Sequence, residues 1–246
     1  MEQRTLRYPL WGVVAILHLV AYLCLATLVK SSGPFSVDRA VRDFFQGSQD
    51  IAVGWMIKGW AIFGDWQILT VMLIVLSLFL SREIRKEFLL FFLFALGGGG
   101  ALGQLSKVVV GRVRPGDLRF GFPSGHTLAA MVTVSGLLYF AYRKRLVRRS
   151  LAAASSAAGG VLIVLGVGIS RMYTDSHWLT DVLGSILLGG AVAAGVALAL
   201  ERRQVVHGSE FMVQGPAAGN PESRSMNPEP STMNPQASTL NPERLD

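Results

Sequence analysis

The sequence holds a single cysteine, Cys24, and places it inside a long apolar stretch. An intrachain disulfide is excluded, and the redox compartment leaves no mark. Charge is scarce as well: Asp, Glu, Lys and Arg make up 16% of 246 residues against 51% hydrophobic, and the mean hydropathy is +0.43. A chain of this length could bury a sizeable core in water, but so little charge in such long apolar blocks argues against an ordinary soluble domain. The formal net charge of +7 is not laid out for a nucleic-acid partner. Most Lys and Arg sit in short clusters between apolar blocks, where they set membrane orientation.

What the sequence has instead is apolar blocks of about 20 residues, long enough to cross a bilayer as helices. The pattern predicts six spans, over 10–29, 65–81, 88–106, 125–142, 151–170 and 181–200. The first block follows Arg4 and Arg7 but reads as a retained anchor, because its apolar core is long for a signal peptide and no small-x-small site follows. Arg4 and Arg7, then Arg82, Arg85 and Lys86, then Arg143, Lys144, Arg145, Arg148 and Arg149, then Arg202 and Arg203 all fall on one side of a six-span bundle. The positive-inside rule makes that side cytoplasmic and puts both termini there.

One loop on the other side breaks the rule. Residues 107–119 carry Lys107, Arg112, Arg114 and Arg119, a charge density that orientation does not explain. The outer connection over 30–64 reads as a loop with short interfacial helices, Val37, Val41, Phe44 and Phe45 on one face and Asp38, Arg42 and Asp43 elsewhere. Trp55, Trp60 and Trp66 suit interfacial anchors. The Gly97–Gly100 run inside the third span reads as a site of close helix packing rather than a lipid gap.

The end of the chain differs in kind. Units beginning Met226-Asn-Pro, Met233-Asn-Pro and Leu240-Asn-Pro recur every seven residues, and a proline in each forbids a continuous helix. Low hydrophobicity with Pro, Ser and Asn predicts a disordered cytoplasmic tail from about 204. The expected organisation is a first helix and outer segment over 1–64, a five-helix core over 65–203 and a tail over 204–246.

Three segments near outer helix ends carry chemistry. In Lys107-Val-Val-Val-Gly-Arg-Val-Arg114-Pro115, Lys107 and Arg114 are seven apart and would share a face if helical, with Pro115 marking the stop. Pro123-Ser124-Gly125-His126 opens the fourth span, and small residues at a helix start leave N–H groups free for an anion. In Ser170-Arg171 through His177 to Asp181, the last two are four apart and neighbours on one helical face. Singly, each segment has an ordinary structural reading as an anchor, a helix start or a surface pair. Together they bring two His, one Asp, three cations and a Ser-Gly helix start to one depth on one side, where ionisable groups are costly and face a cavity. His18 and His207 stand outside the group.

The order Lys-x6-Arg-Pro, Pro-Ser-Gly-His, Ser-Arg-x5-His-x3-Asp resembles the signature of the type 2 phosphatidic-acid phosphatases, a family that shares its active site with vanadium haloperoxidases. The matching positions are Lys107, Arg114, Pro115, Pro123, Ser124, Gly125, His126, Ser170, Arg171, His177 and Asp181. The resemblance covers about 65–200, leaves only seven residues between Pro115 and Pro123, and puts Asp175 where relatives often have glycine. It implies an all-α, six-transmembrane-helix bundle, and a phosphatase acting on a lipid phosphate or diphosphate such as undecaprenyl diphosphate, phosphatidate or phosphatidylglycerol phosphate.

On that resemblance His177 is the nucleophile and forms a phosphohistidine, Asp181 fixes its tautomer, and His126 is the acid and then the base. Lys107, Arg114 and Arg171, with Ser124 and the Gly125 N–H, bind the phosphate. No cofactor and no metal is expected, since the carboxylates Asp117, Asp175 and Asp181 are not at two-metal spacing and cations crowd the site. The expected partners are a lipid phosphate and membrane lipids, and the expected location is the inner (plasma) membrane with the site outward. A haloperoxidase needs no membrane spans. A transporter predicts ionisable residues spread through the bilayer depth, whereas here they cluster at one end.

Overall fold

The computed structural model describes residues 7–47, 50–143 and 150–213, with side chains over 10–47, 50–143 and 152–203. Arg4, the basic run 144–149, the side chain of His207 and the repeats of 214–246 lie outside the described residues. Residues 1–206 form one unit; the second, 207–246, is described only over 207–213.

Among the described residues the regular structure is helical, apart from one antiparallel bridge between Val113 and Phe120. The order is α1 (Arg7–Ser32), α2 (Ser36–Gly47), α3 (Ile51–Gly59), a 3₁₀ turn (Trp60–Gly64), α4 (Trp66–Leu78), α5 (Arg82–Phe92), a π-helical turn (Leu93–Gly97), α6 (Gly98–Val110), α7 (Gly125–Arg143), α8 (Ser150–Tyr173) and α9 (Leu179–Val213). Acidic caps open the short helices: Asp50 accepts from Val53 N, and Asp65 accepts from Gln67 N and Ile68 N. Each satisfies N–H groups that the first turn leaves without a partner.

Among the described residues, four segments are long and apolar enough to span a membrane: Leu10–Ser32, Arg82–Val110, Ala152–Tyr173 and Leu179–Arg203. The bent pair Ile51–Gly64 and Trp66–Leu78, at 57°, adds a fifth. The protein is thus a multi-pass membrane protein. The remaining expected span, the fourth, is a helix, Gly125–Arg143, but does not meet that measure of apolarity. Its position explains the difference. Thr127, Thr133, Gly136 and Tyr139 of α7 are buried against other helices, and a helix shielded by protein need not be apolar enough for lipid. By contrast only 11% of the α1 window is buried, and its Ile16 and Leu17 are exposed, as expected of a helix at the lipid boundary.

The core between α5 and α7 is aromatic. Phe91 stacks on Tyr139 with ring centroids 5.5 Å apart, and Phe88, Phe92 and Phe140 pack edge-on or tilted around them. Lipid is as apolar as these side chains, so close contact rather than escape from water holds such helices together. Gly136 allows the approach: a Cβ there would stand 2.6 Å from Phe91 and Phe92 ring atoms. Nearby, Arg143 pairs with Glu87 and Glu201, each at 3.1 Å, and Tyr139 donates to Glu201 at 2.8 Å. These groups tie the start of α5, the end of α7 and the later part of α9 into one end of the bundle. Lys107, His126 and Asp181, at the far ends of the same runs, lie at the other end.

The expected α2 amphipathicity is present with a specific division. Val37 and Phe44 are exposed, while Asp38 is buried, and α2 packs on α8. Trp55, Trp60 and Trp66 are exposed as anchors would be, and Trp60 also lies over Gly166 of α8.

Gly136→Ala is expected to lower the apparent thermal unfolding temperature of the detergent-solubilised protein, at a cost of about 1–3 kcal/mol for overpacking. Gly98→Ala, where the added Cβ meets nothing within 4 Å, is expected to leave it unchanged or raise it. An equal fall in both variants would contradict this packing.

Candidate active site

Helix α6 stops because Gly111 takes a left-handed conformation, φ 66°, and donates its N–H to Lys107 O at 3.0 Å. Glycine adopts this conformation without a Cβ clash. The helix therefore does not run on to Pro115, and Lys107 and Arg114 do not share a helical face. The chain instead folds into a narrow hairpin, with Arg114 N bonded to Arg119 O at 3.0 Å and Gly121 N to Arg112 O at 2.8 Å. In this hairpin Arg112 is buried, whereas Arg114 lines the cavity described below.

The second segment is held from behind. Ser124 N donates to Asp181 O at 3.2 Å, and Ser185 Oγ lies 2.8 Å from Ser124 O and 2.7 Å from Asp181 O. Ser124 is fully buried, and its hydroxyl accepts from Thr127 Oγ1 at 3.1 Å. Helix α7 starts next to it, with Gly125 exposed and Lys107 Nζ close by.

The third segment is a turn between α8 and α9. Ser176 N and His177 N both donate to Arg171 O, at 3.0 and 3.2 Å. His177 precedes α9 rather than lying on it, yet the four-residue spacing still closes: Nδ1 is 3.3 Å from Asp181 Oδ2. The same oxygen accepts Trp178 N at 3.1 Å, the carboxylate half of a capping box. An acceptor at this position fixes the imidazole proton on Nδ1 and leaves Nε2 with a lone pair. Burial pushes the His177 pKa below its ordinary value, with the hydrogen bond and charge of Asp181 working against that fall and Arg114 and Arg171 adding to it.

These segments face a cavity of about 850 Å³. Lys107, Arg114, Gly125, His126, Arg171 and His177 form its polar end; Ser124 and Asp181 stand behind the wall. Nε of Arg114 and of Arg171 has no hydrogen-bond partner, so positive charge is gathered with donors to spare. Asp117 partly offsets it, 3.5 Å from Arg114 and 2.6 Å from Arg119. The hydrogen bonds from Arg119 pull the Asp117 pKa down to about 2, keeping it ionised.

The rest of the cavity is apolar apart from Thr70 and Gln104 and runs along α4, α5 and α6 past Leu73, Ile74, Leu89, Phe92, Leu93 and Leu96. Gly97 and Gly100 line it, and a Cβ on either would meet nothing within 4 Å. The expectation of close packing at this glycine run is corrected here. Gly99 does pack, 3.6 Å from Leu128 and 3.7 Å from Val192 for an added Cβ, but Gly97 and Gly100 turn to open space.

Five residues outside the signature hold the site. Arg112 reaches Asp181 Oδ1 at 3.0 Å and Asp38 Oδ2 at 2.6 Å. Thr180 N donates to Asp38 Oδ1 at 2.9 Å. Arg42 grips Asp175 with two bonds, Nε to Oδ1 at 2.7 Å and Nη2 to Oδ2 at 2.8 Å. The available signal was an α2 bearing Asp38 and Arg42 one turn apart, opposite charges on one face that need partners. Asp175 has φ 52°, a left-handed conformation that suits Gly, Asn or Asp. This accounts for an aspartate at a position where glycine is usual in the resembling family.

A helical membrane bundle with a cationic pocket opening into an apolar groove defines the class. The PAP2 superfamily model matches residues 88–204, and this assigns to that superfamily the segment holding all three signature motifs. The chain is 27% identical over 176 residues to phosphatidylglycerophosphatase B of Bacillus subtilis (strain 168), covering 68% of this chain and 85% of that protein. It also resembles a crystal structure of a transmembrane PAP2-type phosphatidylglycerolphosphate phosphatase from Bacillus subtilis. The TM-score is 0.66 at 24% identity, over 79% of this chain and 96% of that one; at that identity the likeness speaks for the fold.

Asp175→Gly is expected to lose only the partly exposed ion pair, about 1 kcal/mol or less. Asp175→Val is expected to add about 1–3 kcal/mol of backbone strain. Unfolding of both variants in mixed micelles checks this, and equal stability of the two would contradict the left-handed assignment.

Proposed function

We propose that this protein is a membrane lipid phosphatase that removes phosphate from a lipid phosphate or diphosphate, with phosphatidylglycerol phosphate and undecaprenyl diphosphate as the leading candidates. The observation that carries the reading is a cavity whose cationic end is continuous with an apolar groove between α4, α5 and α6. A phosphate head and a lipid chain need just these two environments side by side. The name of the Bacillus subtilis relative, phosphatidylglycerophosphatase B, supports the glycerophosphate candidate.

In the proposed mechanism, Lys107, Arg114 and Arg171 hold the phosphoryl oxygens, and the Gly125 N–H at the start of α7 donates to one of them. Ser124, buried behind the wall, fixes that helix start through its bonds to Asp181 and Ser185. His177 attacks phosphorus through Nε2 while Asp181 holds Nδ1–H, giving a phosphohistidine. His126 protonates the leaving oxygen, then takes a proton from the water that releases phosphate. The charge needed by the transition state comes from the side chains, so no metal enters the cycle. The basic clusters described at the opposite end support a cytoplasmic assignment for that end, and an outward-facing site in the plasma or inner membrane.

Purified protein is expected to release inorganic phosphate from at least one member of a panel of lipid monophosphates and diphosphates, in EDTA as well as without it. His177→Ala is expected to lower the rate by at least about a thousandfold, as loss of a nucleophile does. Release that requires added Mg²⁺, or that survives His177→Ala, would overturn the mechanism.

The pH dependence has a definite sign. A histidine whose pKa is lowered stays neutral through neutral pH and loses its lone pair only as pH falls through that lowered value. The acid limb of kcat/KM is therefore expected below about pH 6.5, the ordinary histidine value, and an alkaline limb is expected in kcat, where the negative charge of the bound phosphate holds the proton on His126 against the burial and the Arg171 charge that push its pKa down. A profile that only rises or only falls between about pH 4 and 9 would contradict two histidines in opposite protonation states.

A further inference from the structure

Asp181 has two oxygens with different duties. Oδ2 faces His177 Nδ1 and Trp178 N, while Oδ1 takes Arg112 Nη1 at 3.0 Å. Arg112 is equally committed on its other side. Its Nη2 donates to Asp38 Oδ2 at 2.6 Å, and its Nη1 also donates to the Thr180 hydroxyl, which itself lies 2.9 and 3.0 Å from the Asp38 oxygens. The Arg112 guanidinium lies over the Trp178 ring at 5.5 Å, which limits the tilt of its plane. The side chains of Arg112, Asp38 and Asp181 are 3%, 0% and 0% exposed, so solvent screens this chain of charges weakly.

We propose that Arg112 is a positioning residue for the Asp181–His177 pair, and that Asp38, carried in on α2, fixes Arg112 in that role. The kinetic part of this inference rests on the phosphatase reading; the electrostatic part does not. Arg112 does two things to the pair. It holds Oδ1, so that Oδ2 is turned to His177. It also offsets the carboxylate charge, so that His177 is not drawn into holding a second proton. Asp38 acts with the opposite sign, tempering the cation. The other charged or titratable groups facing the pair are Arg114 on the hairpin, Arg171 on α8, Lys107 on α6 and His126 on α7. None of these four forms an ion pair with Asp181 among the described residues, and Arg112 does.

The two ends of the network therefore make opposite predictions, which a merely structural brace would not. The titration of the four histidines is followed by NMR of the isotope-labelled, detergent-solubilised protein, with His177 assigned by the signal missing from His177→Gln. Arg112→Gln is expected to raise the His177 midpoint by about one pH unit, and Asp38→Asn to lower it. Arg112→Lys, which keeps the charge, is expected to hold the midpoint near the wild-type value. In the assay, Arg112→Gln is expected to lower kcat by about ten- to a hundredfold, the scale of a misplaced reacting group. KM should change less than about twofold, and the acid limb should move up with the midpoint.

Midpoints that stay put in folded Arg112→Gln and Asp38→Asn, or that move the same way in both, overturn the proposal. Should Arg112→Gln fail to fold, the Asp38→Asn midpoint alone decides: a fall supports the network and an unmoved value rejects it. Wild-type protein that releases phosphate from no lipid, while the midpoints shift as expected, rejects the phosphatase reading and leaves the coupling standing. Active wild-type protein with unmoved midpoints rejects the coupling alone.

Discussion

Asp181 is fully buried, and every part of it that can accept a hydrogen bond is used. One carboxylate oxygen meets Arg112 from the hairpin after α6, and the other meets His177 and the Trp178 N–H. Its carbonyl accepts Ser124 N from the start of α7. Three segments, two of them consecutive in the chain and the third beyond two further helices, are thus joined at one residue. An ionised carboxylate without partners would be prohibitively costly at this depth, so the requirement to satisfy Asp181 brings the hairpin, the α7 start and the α8–α9 turn to fixed mutual positions. The cationic wall of the cavity follows, since Arg114, Gly125, His126, Arg171 and His177 all sit within a few residues of those anchor points.

Next to this polar end the bundle is left open. The π-helical turn at Leu93–Gly97 and the glycines that follow let α5 and α6 pass the cavity without filling it. A polar pocket alone would suit any soluble phosphate. Its continuity with an apolar groove is what singles out an amphiphile, because a lipid chain gains nothing from a wet pocket and a phosphate gains nothing from a dry groove. The short helices α2 and α3 complete the arrangement. Exposed Val37, Phe44, Ile51, Trp55 and Met56 face outward as interfacial residues do, while Asp38 and Arg42 grip the loops that carry the site.

Much of this was legible in the sequence. The spacing of His177 and Asp181 predicted their contact, and it forms even though His177 lies just outside the helix, because Asp181 in the first turn of α9 reaches back to it. The surplus of cations over 107–119 pointed to a gathering of charge, and Lys107, Arg114 and Arg119 line one cavity. Three features were not legible, for definite reasons. Lys107 and Arg114 were read as sharing a helical face, but Gly111 takes a left-handed turn that residue spacing does not reveal. The pattern placed Asp38 only off the apolar face of an interfacial helix; the packing of α2 on α8 shows that Asp38 turns inward, toward Arg112. The glycine run at 97–100 was read as close packing rather than a gap, but glycine serves both, and the structure uses Gly99 for one and its neighbours for the other.

The central claim is that His177 becomes phosphorylated in the reaction cycle. Active protein mixed with a lipid phosphate, quenched within the first turnover into alkali and digested, allows the modified residue to be located by mass spectrometry, because phosphohistidine survives alkali. The account predicts one phosphate on His177, absent without substrate and absent when Asp181 is replaced by alanine. Phosphate on another residue, or an active enzyme that never carries phosphate at His177, would contradict it.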